Sequence, residues 1–140
     1  MSIWENIIES QPPIDSAVDF PTHSRFHMAL NVKDVDHLVP FYTAFFGRQP
    51  TLVRDGYAKF ELTDPPLNIS LNRVQHNARG HGTFGMRVSE RALVQAMYER
   101  LSTARLQPVP ASAGKDSRED ISLFQVTDPE ANTWKIGAAS

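Results

Sequence analysis

Apolar and polar side chains change their period several times along the chain, and each change marks an element. Residues 25 to 32 alternate, which predicts a strand, and residues 35 to 46 switch to helical spacing. That helix buries Val35, Leu38, Val39, Tyr42, Phe45 and Phe46 on one stripe, and Gly47 is placed to end it. Pro40 fits if the regular helix begins near Asp36 or His37, so that its missing N–H costs little. Alternation returns at 50 to 54, 57 to 62 and 67 to 73, predicting three strands. The same order then repeats: a strand at 82 to 88, a helix at 90 to 104 capped by Ser89, a short strand at 106 to 109, and strands at 119 to 126 and 132 to 137. Leu93, Met97, Leu101 and Ala104 form the second helix's apolar stripe.

The pattern predicts an α+β fold of two βαβββ modules that form a curved mixed eight-stranded sheet around a central cavity, with the helices outside. Residues 1 to 24 stand apart as an N-terminal arm, and the domain proper is 25 to 140. In the arm, Trp4, Ile7 and Ile8 have helical spacing, and QPPIDSAVDFP reads as an extended tether.

Residues two apart on a strand share a face, so the cavity lining follows from parity. Met28, Leu30 and Val32 face the helix, leaving His27, Ala29 and Asn31 inward. By the same rule Asn68, Ser70 and Asn72 line the cavity from the fourth strand, Thr83, Gly85 and Arg87 from the fifth, and Thr133 and Lys135 from the last. This predicted lining is polar, with two cations and no carboxylate.

The run FHMALNVKDVDHLVPFYTAFFG and its late echo TDPEANTWKI resemble the opening strand–helix and closing strand of the vicinal oxygen chelate family, the glyoxalase I, bleomycin-resistance and extradiol-dioxygenase group. The resemblance spans about Arg25 to Gly137. It implies a divalent metal held by His, Gln or Glu from four places, which HMALNV, LNISLN, TFGMRV and TWKI put at His27, Ser70, Thr83 and Lys135. Of these His27 alone is a good donor, where a divalent ion needs about three. Two unit charges about 4 Å apart interact by roughly 4 kcal/mol at an effective dielectric of 20, so Lys135 opposes a dication there. His81 lies two residues before Thr83, and a bulge would bring it in as a second candidate ligand. His23, His37 and His76 have no ligand spacing.

GYAKFELTDPPLNISLN is most similar to the branch with cadmium-induced proteins and organoarsenical carbon–arsenic lyases. That branch's lyase activity implies a cysteine pair before the penultimate strand. The segment here, ASAGKDSRED, has none, and the whole chain has no cysteine.

Composition narrows the picture further. A chain of 140 residues suits one domain with its own core. A net charge of -2 gives no general attraction to nucleic acid or to an anionic membrane. With no thiol and no basic-apolar leader, the expected location is cytoplasmic.

The function expected is a metal-independent small-molecule binder with a degenerate metal site and no cofactor. Arg87 and Lys135 would recognise an anionic or carbonyl-bearing ligand, while Asn31, Asn68, Ser70, Asn72 and Thr83 orient it. Against this, Arg87 could simply reach solvent and Lys135 could pair with an acid such as Asp128. The alternative is a metal-dependent dioxygenase, lyase or isomerase holding Fe, Ni, Zn or Mn on His27, His81 and a carboxylate from Glu61 or Asp120. A third possibility is an oligomeric protein whose pocket has collapsed. The partners expected are the small molecule and a second copy in a homodimer, with the N-terminal arm packed on a barrel.

Overall fold

A computed structural model describes residues 23–75, 82–111 and 121–138. The arm's apolar residues Trp4, Ile7 and Ile8, the histidines His76 and His81, and Asp120 all lie outside the described residues. The strands are β1 (Phe26–Val32), β2 (Leu52–Arg54), β3 (Tyr57–Leu62), β4 (Leu67–Arg73), β5 (Thr83–Val88), β6 (Val109–Pro110), β7 (Leu123–Thr127) and β8 (Thr133–Ala138), with helices α1 (Val35–Phe46) and α2 (Arg91–Thr103). They form two βαβββ modules, each with a mixed four-stranded sheet, ordered β1-β4-β3-β2 and β5-β8-β7-β6. In both sheets the first strand pairs with the fourth in parallel and the other ladders are antiparallel. Among the described residues no helix is long and apolar enough to cross a membrane.

Helix α1 starts one residue earlier than Pro40 was expected to require. Asp34 is the N-cap, its carboxylate accepting from the His37 amide at 3.1 Å, and regular helix begins at Val35. Pro40 therefore sits in the second turn, where the carbonyl it cannot serve is that of Asp36. Both residues are exposed, so water can take that role. Gly47 ends the helix as expected, with φ +68. The buried stripe also includes Phe41, which the periodicity missed, whereas Val39 and Phe46 are half-buried.

Helix α2 needs more correction. Its N-cap is Glu90, not Ser89, and no side chain caps it. The packed stripe keeps the predicted Met97 and Leu101 but takes Val94 and Tyr98 in place of Leu93, which is 46% exposed, and Ala104, which is exposed. Arg105 and Gln107 have positive φ (65 and 60), which turns the chain and delays β6 to Val109.

The helix-facing sides of both sheets share one core. Tyr42, Phe45 and Phe46 of α1 meet Trp134 of β8 at ring-centroid distances of 6.1, 5.0 and 5.9 Å. Burying each such side chain stabilises the fold by about 1.5–3 kcal/mol. Polar clasps run from the second module to both ends and the middle of α1. The Glu130 carboxylate accepts from the amides of Lys33 and Asp34 at 2.9 Å, Asp128 accepts from the Tyr42 hydroxyl at 2.5 Å, and the Arg100 guanidinium donates to the Phe45 carbonyl at 2.6 Å and the Ala44 carbonyl at 3.3 Å. The anion at the helix start and the cation at its end both match the helix dipole.

Candidate functional site

With the helical sides committed to the core, the opposite face of each sheet is left for function. The ladders arrange these faces in rows. On the first sheet, His27, Asn68 and Glu61 form one row, Ala29, Ser70 and Lys59 the next, and Asn31, Asn72 and Tyr57 the third. On the second, the rows are Thr83, Thr133 and Thr127, then Gly85, Lys135 and Gln125, then Arg87, Gly137 and Leu123. Every residue assigned to the lining by parity therefore faces away from its helix.

The first face is mostly occupied with itself. The Asn68 side-chain oxygen accepts from Arg25 at 2.8 Å, and the same guanidinium also donates to the carbonyls of Leu62 and Leu67. Ser70 is buried, and its hydroxyl accepts from the Asn72 amide at 3.0 Å. His27 and Asn31 are exposed on β1. The expectation of a lining without carboxylate fails here: strand β3, left out of the parity argument, adds Tyr57, Lys59 and Glu61 to this face. Glu61 is 3% exposed, accepts from the Thr51 hydroxyl at 2.8 Å and lies 3.8 Å from the Lys59 ammonium. Its alternating pattern and its antiparallel pairing to β4 were the available signals.

The second face is different. Thr83, Gly85, Arg87, Gln125 and Lys135 are all exposed, and it carries no acid among the described residues. A depression of ≈ 700 Å³ lies over it, lined by Gly85, Met86, Arg87, Arg91, Leu123, Lys135 and Gly137, among others. Lys135 does not pair with Asp128. That carboxylate is buried and held by Tyr42, by the Asn132 side chain at 2.9 Å, and by the amides of Glu130 and Asn132 at 2.8 and 3.0 Å. Burial first, and the adjacent Asp128 charge second, push the Tyr42 phenol far above its ordinary pKa, so it stays a donor.

His27 and Ser70 thus stand on one sheet and Thr83 and Lys135 on the other. Among the described residues no three His, Cys, Asp or Glu side chains gather closely enough to hold a metal ion. The four positions that the resemblance assigns do not make a donor set for a metal, since they offer one imidazole, two hydroxyls and an ammonium.

Comparison with known proteins bears on the same residues. Residues 25–136 match the family described as the Glyoxalase/Bleomycin resistance protein/Dioxygenase superfamily. A trivalent organoarsenical cleaving enzyme of Bacillus sp. (strain MD1) is 31% identical over 115 residues, covering 79% of this chain and 70% of its own. The cadmium-induced protein CadI of Mycobacterium tuberculosis (strain ATCC 25618 / H37Rv) is 34% identical over 113 residues, covering 81% and 74%. Among solved structures, lactoylglutathione lyase from Agrobacterium tumefaciens superimposes with a TM-score of 0.61 at 20% identity over 85% of this chain and 96% of that one, a likeness of fold alone.

Proposed function

Because this chain belongs to the glyoxalase/bleomycin resistance/dioxygenase superfamily, we propose that it is a member that binds an anionic or carbonyl-bearing small molecule without a metal. The observation that carries the reading is the second sheet's face, where Arg87 and Lys135 stand exposed over a depression that no acid lines among the described residues. Lys135 occupies the carboxylate position of the metal-binding pattern, so the charge that would hold a cation there is replaced by one that attracts an anion. Arginine pairs with a carboxylate through two parallel hydrogen bonds and lysine adds a point charge, and such charge-assisted bonds are the strong ones. Thr83 beside them supplies a hydroxyl for orientation. His27, Asn31, Asn68, Ser70 and Asn72 belong to the other sheet and would complete the pocket where a second surface closes over the face.

The test is a panel of small carboxylates and ketoacids titrated into protein with and without chelator treatment. Binding is expected to be insensitive to the chelator and at least tenfold weaker in Lys135→Glu and in Arg87→Glu. Chelator-sensitive binding, or about one Fe, Ni, Zn or Mn per chain by elemental analysis, would overturn it.

A second reading, a metal-dependent lyase, dioxygenase or isomerase, is favoured by the relatives named as organoarsenical cleaving enzymes. It would need His27 with His81 and a carboxylate from Glu61 or Asp120. Glu61 shares a row with His27 across Asn68, but it is already engaged by Lys59 and Thr51. The same elemental analysis decides between the two readings.

A further inference from the structure

Gly85 is a residue of the second face whose lack of a side chain nothing in its backbone or described surroundings requires. Its φ is not in the left-handed region, unlike those of Gly47 and Gly56. A Cβ placed on it would meet nothing nearer than the Lys135 carbonyl oxygen, at 3.9 Å, which is ordinary contact at most. Its cross-sheet neighbour Gly137 has a local reason, because a Cβ there would come within 3.1 Å of Leu123 Cδ1, which leans over it. Glycine inside a strand weakens it and often marks a close approach by a ligand or another backbone. The missing side chain of Gly85 thus serves something outside the packing of the described residues.

We propose that Gly85 keeps a patch of bare peptide for the flat face of a ligand, and that this ligand is an aromatic carboxylate held by Arg87 and Lys135. The inference rests on the anion-binding reading above and gives it a substrate class. Lys135 is Gly85's direct partner across the ladder and Arg87 is two residues along the same strand. Side chains at such positions stand about 5 and 7 Å away, on two sides of the bare patch. Strand peptides hold their N–H and C=O groups in the plane of the sheet, so the exposed face of Gly85 offers a flat surface and no hydrogen-bond donor. A ring can lie on such a surface, whereas a phosphate would look for amides pointing at it. Leu123, 44% exposed, gives the ring an apolar wall, and ≈ 700 Å³ accommodates one or two rings.

The experiment uses the full chain and two probes, 2-naphthoate and its saturated counterpart decahydro-2-naphthoate, titrated by calorimetry. Wild type is expected to bind 2-naphthoate at least tenfold more tightly than the saturated acid. Gly85→Val should lose that preference and at least tenfold in naphthoate affinity while melting no lower than wild type, since valine suits a strand. Lys135→Gln should weaken both acids alike. If Gly85→Val melts lower, Gly85→Ala is used instead, with a severalfold loss expected. Wild-type affinity in the glycine variant together with weakened binding in Lys135→Gln would overturn the flat contact and leave the anion site standing. Failure of both acids to bind wild type would overturn the anion reading and this inference with it. A glycine variant that dissociates an oligomer without changing naphthoate affinity would show that the bare backbone meets a second copy instead.

Discussion

Tyr42 joins the two halves of the molecule through its buried hydroxyl. Its hydroxyl donates to Asp128 and accepts from the Trp134 indole at 3.1 Å, so one buried oxygen ties α1 to the β7–β8 turn and to strand β8. Replacing it with phenylalanine takes the buried Trp134 indole N–H away from its acceptor and removes one of the four hydrogen bonds that Asp128 accepts, which costs about 1–3 kcal/mol. Urea unfolding at neutral pH checks this: Tyr42→Phe is expected to shift the midpoint down without altering the slope. The same residue gives a pH dependence of definite sign. Its folded pKa lies above the unfolded value of 10.0, so the stability it contributes is fully present below pH 10 and is lost as pH rises beyond it. Between about pH 9 and 11 wild type should therefore lose more stability than Tyr42→Phe does, measured as the change in urea midpoint.

At the scale of elements, the β7–β8 hairpin holds a strained position. Asp128, Pro129, Glu130 and Ala131 form a turn closed by the Ala131 amide on the Asp128 carbonyl at 3.0 Å, and Ala131 has φ +72. Glycine is at ease in that conformation and alanine is not, so Ala131→Gly should raise stability by about 0.5–1 kcal/mol, read as a higher thermal midpoint. The break between strands at 126 and 132 was legible, but the positive φ at Ala131 was not, because the glycine that normally announces it is absent. Where the signal was strong, it served well. The alternation of β1, β4, β5 and β8 placed His27, Ser70, Thr83 and Lys135 on the faces they occupy, and Gly47 stopped α1 where expected. Misses fell where two apolar stripes compete, as on α2, where Leu93 and Val94 both fit a helical period and only tertiary packing chooses Val94. The face of β3 was legible but unread: YAKFEL alternates as cleanly as β1, and counting it would have put Glu61 and Lys59 beside Ser70 and Asn68.

For the whole molecule, the exposed side chains of β1 and the exposed second face set the question of assembly. β1 and β5 are sheet edges, each with one hydrogen-bonded neighbour among the described residues, and each carries exposed side chains. A second copy placed against these edges would cover two faces and pair two edges at once, which matches how proteins manage exposed strands. Sedimentation of the full chain is expected to give a homodimer, with a lower dimer fraction after deletion of residues 1 to 22; a monomer at micromolar concentration contradicts it. The clasps on α1 carry a different consequence, one for heredity. Each joins a residue of the first module to one of the second: Lys33 and Asp34 to Glu130, Tyr42 to Asp128, and Ala44 and Phe45 to Arg100. In the Glu130 and Arg100 clasps the first module supplies backbone groups that any relative's module would keep, so a recombination event that exchanged one module would have to match side chains at Tyr42 and Asp128. The boundary between the repeated units, which looks like the natural seam, is therefore constrained at one buried pair, and Tyr42 and Asp128 are bound to change together.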